Sequence, residues 1–518
     1  MVYIEKLKIV NFKRFRELVI DFDKSFNTII GDNESGKSTV LLAIDLVLSG
    51  NRNKIENIGV ESLFNKECIR MFLESDRDYR NLPELYAEIY LNEQTNEELN
   101  GRNNSEHRNC DGLRLVLKPD DSFMKEMIEI LKNDDQNFPF EFYRCDFTTF
   151  QGSQYSGYRR FVNHIFVDNS RIGNEYAMKE YVNNMYNNWI EGSDLFKHQN
   201  QYRKYKNIFN HEILKGVNER IDAYQFGVKN DAKSNLKSDL TIFENDIAIE
   251  NKGKGKQCFI KTEFALGKSK KIIDIILIEE PENHLSHSHM QLLVNKISEV
   301  NDRQLFIATH NNLISSRLDL RNATMLSSTS DVPVKLRDID DDTAKFFIKS
   351  ANHNILEFIL SKKVILVEGD AEYILMSKMF ECIAQKKETE CNITIIAIGG
   401  TAFKRYLNLA KMLSIKTAVI RDNDGDYYKN CIENYQEYVG NSIGIFADKD
   451  TDRHTFEVSV YLENKSVCDR LFCPSRRTLT VKEYMLNNKT EAAFALLNNT
   501  DKFNVPEYIK EAIEWIKE

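Results

Sequence analysis

The feature that most limits what this chain can fold into is a loop of fixed spacing set between two apolar runs. Phe26-Asn27-Thr28-Ile29-Ile30 leads into Gly31-Asp32-Asn33-Glu34-Ser35-Gly36-Lys37-Ser38, and Thr39-Val40-Leu41-Leu42-Ala43-Ile44 leads out. The first run reads as a buried strand and the last as a buried helix, so the glycine loop stands at a strand-to-helix turn. There its glycines let successive backbone N–H groups point inward at phosphate oxygens. Lys37 is placed to reach the β- and γ-phosphates of a nucleotide, and the Ser38 hydroxyl to ligate Mg²⁺. Gly31, Asn33, Gly36, Lys37, Ser38 and Thr39 are therefore the candidate contacts to ATP.

Such a loop needs a distant carboxylate to hold magnesium and polarise water. Ile275-Ile276-Leu277-Ile278-Glu279-Glu280-Pro281-Glu282 supplies it, an apolar strand ending in adjacent acids. Glu279 is expected to organise the magnesium and Glu280 to act as general base. Gln304-Leu305-Phe306-Ile307-Ala308-Thr309-His310 is a further apolar strand, and His310 at its end is expected to sense the γ-phosphate.

A second constellation follows. Lys363-Val364-Ile365-Leu366-Val367-Glu368-Gly369-Asp370-Ala371-Glu372 reads as strand, glycine turn and helix. Glu368 ends the strand, and Glu372 lies one helical turn further on the same side. Thr417-Ala418-Val419-Ile420-Arg421-Asp422-Asn423-Asp424-Gly425-Asp426 reads as a second strand running into alternating acids. With a period of two, Asp422 and Asp424 face the same way. Four or five carboxylates packed together do not all stay ionised without a cation, so Glu368, Glu372, Asp422, Asp424 and Asp426 are candidate metal ligands. Two Mg²⁺ or Mn²⁺ ions about 4 Å apart would stabilise both the attacking and the leaving oxygen of a phosphodiester displacement.

Composition fits several globular domains. Of 518 residues, 42% are hydrophobic and 29% charged, as in ordinary soluble proteins. No apolar run reaches the length of a membrane span, and the start, MVYIEKLKIVNFKRF, has no apolar h-region. The expectation is a cytoplasmic chain with no secretory signal and no membrane partner. Nine cysteines without a CxxC pattern predict reduced thiols instead of structural zinc. Lys plus Arg number 70 against 79 Asp plus Glu, which disfavours a general basic coat for nucleic acid but leaves room for local grooves. Lys268-Ser269-Lys270-Lys271, Lys404-Arg405, Lys411, Lys416 and Arg476-Arg477 are the candidate clusters. Residues 172–225 place apolar side chains three and four apart, as in EYAMKEYVNNMYNNWIEGSDLF, within a long stretch of little strand signal. They read as helices, either a dimer surface or a subdomain packed on its own chain.

In their order these motifs resemble the ABC-type ATPases of the SMC, RecF and Rad50 kind, and the segment Ile4 to Phe15 looks like the first strand and nucleotide edge of that group. The resemblance implies a signature loop that completes the ATP site of a second copy. Gly253-Lys254-Gly255-Lys256-Gln257 is the candidate, with Gly255 and Gln257 as nucleotide contacts and a homodimer or higher homo-oligomer as the consequence. The spacing Glu-Gly-x-x-Glu and then Asp-x-Asp resembles the Toprim fold of topoisomerases, primases and certain nucleases. Ile396 to Thr401 sits where that fold has a glycine turn. With about 90 residues past the acids, neither a tyrosine-bearing cleavage domain nor primase template machinery is expected.

ATPase, helical insertion, Toprim unit and tail together resemble the OLD (overcoming lysogenization defect) nucleases, a family that includes the Gabija nuclease and some retron effectors. The expected fold is α/β: an ABC-type (SMC/RecF-like) ATPase domain with a helical insertion, followed by a C-terminal Toprim α/β domain. The expected boundaries are 1–170 and 236–350 for the two parts of the ATPase, 171–235 for the insertion and 351–518 for the Toprim domain. The resemblance further implies Glu457 as a metal ligand and Lys489 as the stabiliser of a charged transition state. It implies a DNA endonuclease or nickase in anti-phage defence, with a helicase, or a reverse transcriptase and its RNA–DNA, as possible company. The competing expectation is a RecF-like DNA-repair or sensing protein whose Toprim unit binds without cutting.

Overall fold

In the computed structural model all residues are described except 133–136, 158, 171–174, 191, 232–233, 268–272, 301, 312–313, 315–318, 329, 350–354, 401 and 473–478. The chain divides into two units, Met1–Leu318 with Asn322–Arg337, and Asp319–Arg321 with Asp338–Glu518.

The first unit opens with strands β1 (Ile4–Phe12), β2 (Phe15–Asp21) and β3 (Phe26–Gly31), then helix α1 (Lys37–Ser49). β1 and β2 join β4 (Leu85–Leu91), β5 (Cys110–Pro119) and β6 (Tyr143–Thr149) in an antiparallel sheet. After β7 (His164–Asp168) come α2 (Glu175–Trp189), α3 (Gly192–Ile208) and α4 (Lys254–Leu266). β8 (Ile275–Glu279), α5 (His287–Ser298), β9 (Gln304–Thr309), β10 (Ala323–Ser327) and β11 (Ser330–Lys335) complete the unit. A second sheet runs β11-β10-β3-β9-β8-β7, parallel except for the β10–β11 hairpin.

The unbroken apolar run of β8 exists because both faces of this sheet are covered. Ile275 and Leu277 share a core with Val40, Leu41, Ile44 and Val47 of α1 and with β1, β4 and β5. Ile276 and Ile278 face the other way, onto Met178, Tyr181 and Val182 of α2, Phe259 of α4 and Leu293 of α5. Each such side chain contributes about 1.5–3 kcal/mol when fully buried. α2 therefore packs on its own chain.

One expectation needs correction. The stretch read as poor in strand signal contains β4, β5, β6 and β7. For β4 the reason is a buried charge. Glu88 is fully enclosed, ion-paired to Arg114 of β5 at 3.2 Å, and accepts hydrogen bonds from the Ser105 N–H and hydroxyl and from the Tyr90 hydroxyl. A sequence pattern reads such charges as surface, and the alternation is lost.

The second unit is a parallel sheet of β12 (Lys363–Val367), β13 (Ile393–Ala397), β14 (Lys416–Ile420) and β15 (Ile443–Phe446), in the order β13-β12-β14-β15. Helices α6 (Asp370–Ala384), α7 (Phe403–Leu413), α8 (Phe456–Glu463), α9 (Lys489–Leu497) and α10 (Glu507–Lys517) surround it. β12 and β14 are direct neighbours, so the residues just past their ends meet at the carboxyl edge of the sheet, the usual place for a ligand crevice. Among the described residues no helix is long and apolar enough to cross a membrane.

Candidate functional site

The loop after β3 is shaped by close packing. Gly36 has φ 96°, and a Cβ there would stand 2.4 Å from the Phe15 ring, so the turn excludes any side chain. Lys37 Nζ donates to the carbonyl oxygens of Gly31 at 2.8 Å and Asp32 at 2.9 Å. Burial lowers the Lys37 pKa, while Glu280, Asp32, Glu282 and Glu279 oppose the shift. Asn33 and Ser38 are exposed at the loop and Thr39 is buried beneath it.

Glu279, the last residue of β8, is buried. Glu280 turns out of the strand at φ 46°, its N–H held by the Ala308 carbonyl at 2.9 Å and its Oε2 by the Asn283 amide at 2.6 Å. His310 follows β9, with Nδ1 3.9 Å from Glu280 Oε1 and 3.6 Å from Glu282 Oε1. The structure thus brings Lys37, Glu279, Glu280 and His310 into one locality. It adds Glu282, which the sequence reading passed over because two acids had already filled the two expected roles.

The signature-loop candidate forms the start of α4. A Cβ on Gly255 would lie 2.1 Å from the His284 carbonyl oxygen, so this helix end abuts the turn after β8. Gln257 is buried, and its amide donates to the carbonyls of Lys252 at 2.8 Å and Glu250 at 3.3 Å. Lys252 and Lys256 both pair with Glu244. The Gln257 amide is engaged by its own backbone and does not face solvent.

In the second unit Glu368 follows β12, and Glu372 lies in the first turn of α6, 7% exposed. The alternation expected of Asp422 and Asp424 fails, because β14 stops at Ile420 and the acids lie in the turn beyond it. Asp422 points to the cluster and accepts the Phe456 N–H of α8 at 2.7 Å. Asp424, at φ 50°, is exposed and paired with Arg421 at 2.8 Å. Asp426 accepts the Lys429 N–H at 3.0 Å and so caps the next helical turn.

Glu457, in the first turn of α8, is only 3% exposed. Its Oε1 lies 3.0 Å from Lys489 Nζ, and its Oε2 is enclosed with no hydrogen-bond partner among the described residues. Burial pushes Glu372 up to about 7, with further pressure from Glu457 and Glu368. Burial, then Glu372, Glu457 and Glu368, push Asp422 up to about 8. Burial also raises Glu368, against the Arg421 charge. Tyr508 of α10, which the sequence reading missed, is buried within the field of the same acids, its hydroxyl pKa raised by burial first and then by Asp422 and Glu372.

Among the described residues no three His, Cys, Asp or Glu side chains stand so as to hold a metal ion together. The donor set nevertheless fits a hard divalent cation: oxygen ligands, mutual repulsion, and an enclosed carboxylate oxygen without a donor. Of the basic clusters, Arg405 pairs with Asp340 at 3.5 Å, and Lys416 lies over the Trp515 ring. Lys268–Lys271, Arg476–Arg477 and Thr401 lie outside the described residues.

An SMC/RecF-like ABC-type ATPase followed by a Toprim unit is the class that this fold and these sites define. Family models agree with each half: an AAA ATPase domain matches residues 2–314, and an Overcoming lysogenization defect protein-like TOPRIM domain matches residues 359–424. The chain belongs to the AAA ATPase domain family, and its second unit carries a segment like the TOPRIM domain of OLD proteins. It is similar to a structural maintenance of chromosomes protein 3 homolog of Plasmodium falciparum, 32% identical over 108 residues, 18% of this chain and 9% of that protein. It is also similar to the DNA replication and repair protein RecF of Clostridium kluyveri, 48% identical over 40 residues, 8% of this chain and 11% of that protein. The matched stretches span about a tenth of the length of these two relatives. Among solved structures, the C-terminal region of the Burkholderia pseudomallei OLD protein is 20% identical, with 30% of this chain and 97% of that one covered and a TM-score of 0.26.

Proposed function

We propose that this protein is an ATP-regulated, divalent-metal-dependent DNA endonuclease or nickase that works as a homodimer or higher homo-oligomer. The observation that carries the reading is the enclosed Glu457 oxygen beside Glu372 and Asp422, whose pKa values burial and neighbouring acids raise to about 7 and about 8. A buried carboxylate oxygen without a donor is costly, and a divalent cation both removes that cost and lets Glu372 and Asp422 ionise. Bound Mg²⁺ or Mn²⁺ would supply the Lewis-acid charge that phosphodiester displacement requires.

Glu368, Glu372, Asp422 and Glu457 would hold the metal. Asp424 is available only when it leaves Arg421, and Asp426 is turned to its own helix cap. Lys489 keeps a positive charge beside the cluster, where a scissile phosphate gains negative charge. In the first unit Lys37 and Ser38 would bind the phosphates and magnesium of ATP, with Glu279 and Glu280 at the water. Gly255 lies at a helix start suited to a second copy's nucleotide, while Gln257 would have to turn outward first. Anti-phage defence, with a helicase or a reverse transcriptase as company, is the biological side of this reading and rests on the resemblance to the OLD nucleases.

The Arg421–Asp424 pair favours one competing reading, a RecF-like DNA-repair or sensing protein whose Toprim unit grips DNA without cutting. Plasmid cleavage with Mg²⁺ or Mn²⁺ separates the two. Wild type is expected to nick or cut, and Glu368→Ala and Glu457→Ala to lose that activity; equal cleavage by all three would remove the nuclease site. Lys37→Ala is expected to lose ATP turnover, and unchanged turnover would remove the phosphate-loop reading.

A further inference from the structure

Glu282 is buried to 7% exposure and is fixed from the neighbouring strand. Its Oε1 accepts the Thr309 hydroxyl at 2.6 Å and the His310 N–H at 3.1 Å, and the His310 ring Nδ1 stands 3.6 Å away. The Thr309 oxygen in turn accepts the Asn311 N–H at 2.9 Å, so the hydroxyl proton is committed to Glu282. The other carboxylate oxygen, Oε2, is enclosed with no hydrogen-bond partner among the described residues. A half-satisfied buried acid is destabilising, and its persistence here calls for a role beyond folding.

The neighbouring backbone shows what that role connects. Glu280 is stitched to Ala308 through its own N–H, and Asn283 and Leu285 close the turn on Glu280 and Glu282 with hydrogen bonds of 3.1 and 3.0 Å. One short turn therefore carries Glu280 and Glu282, and the end of β9 carries Thr309 and His310. Only Glu282 reaches from that turn to both Thr309 and His310 through its side chain, among the contacts described.

We propose that Glu282 is a positioning residue for ATP hydrolysis. Through Thr309 and the His310 backbone it fixes the spacing between the general-base turn and the γ-phosphate sensor, a spacing that hydrolysis requires but nucleotide binding does not. This rests on the ATPase reading above, which nucleotide binding by wild type and Lys37→Ala tests separately.

Glu282→Ala removes the strut, while Glu282→Gln keeps an acceptor for both donors. The alanine variant is expected to lower kcat for ATP by about tenfold or more with KM within about threefold, and the glutamine variant to recover most of kcat. A Thr309→Val, Glu282→Ala double variant is expected to be no worse than Glu282→Ala, since both remove one connection. In ¹⁵N-histidine-labelled full-length protein, the His310 ring signals are expected to move in Glu282→Ala and not in Glu282→Gln. Unchanged kcat in Glu282→Ala, a loss expressed in KM alone, equal losses in alanine and glutamine variants, or unmoved His310 signals would each overturn the proposal.

Discussion

Glu457 lies in the first turn of α8 with Lys489 on one carboxylate oxygen and, among the described residues, no hydrogen-bond partner on the other, and Asp422 shares its enclosure. A carboxyl group that burial holds neutral forgoes the ionisation open to it in the unfolded chain, and an amide has no such cost. Asp422→Asn is therefore expected to raise the thermal midpoint in EDTA, and to lose the stabilisation that Mn²⁺ gives wild type; calorimetry with and without Mn²⁺ checks both. A midpoint that Mn²⁺ leaves unmoved in wild type would argue against a metal site. At the nucleotide loop, Gly36→Ala places a methyl group 2.4 Å from the Phe15 ring at a φ of 96°. It is expected to abolish nucleotide binding, measured with a fluorescent ATP analogue, and retained binding would mean the loop can re-form elsewhere.

α1 is tied to its surroundings by a buried ionic group. Asp45 accepts from His164 of β7 at 3.0 Å and pairs with Lys54 at 2.6 Å, and Lys54 also reaches Glu180 of α2. Burial would raise the Asp45 pKa, but Lys54 and His164 outweigh it and hold it well below the usual carboxylate range. Burial lowers the His164 pKa, with Asp45 only partly opposing. The signs agree. Below the ordinary value of 6.5, the unfolded chain takes a proton that native His164 refuses, and below 3.8 it takes one that native Asp45 refuses. Stability of the first unit is expected to fall as pH drops from about 7 to about 5, first through His164, and His164→Gln is expected to flatten that slope. Urea midpoints across this range measure it, and a pH-independent wild type would contradict the assignment.

Two units with separate cores are expected to give two calorimetric transitions, each moved by its own ligand. ATP is expected to raise the transition of the first unit and Mn²⁺ alone that of the second. A ligand at a hundred times its Kd adds about 2.7 kcal/mol to the unit that binds it. A single transition moved equally by both ligands would mean the units unfold as one.

How much of this was legible depended on how local the cause was. The loop at 31–38, the acidic end of β8 and the Glu368–Glu372 turn are set by neighbours within a few residues, so spacing alone located them. β4 was hidden because the Glu88 charge is neutralised by Arg114, 26 positions away in the chain and 3.2 Å away in space. Tyr508 was hidden for the same reason: the acids whose field it feels stand on other elements. The sequence by itself determined an ATPase–Toprim order and where its chemistry-bearing strand ends lie, because strand, turn and helix signals act over short range. Only the tertiary structure decided which acids share an enclosure, turning Asp422 toward Glu372 and Glu457 and giving Asp424 to Arg421, because burial and charge pairing depend on distances through space.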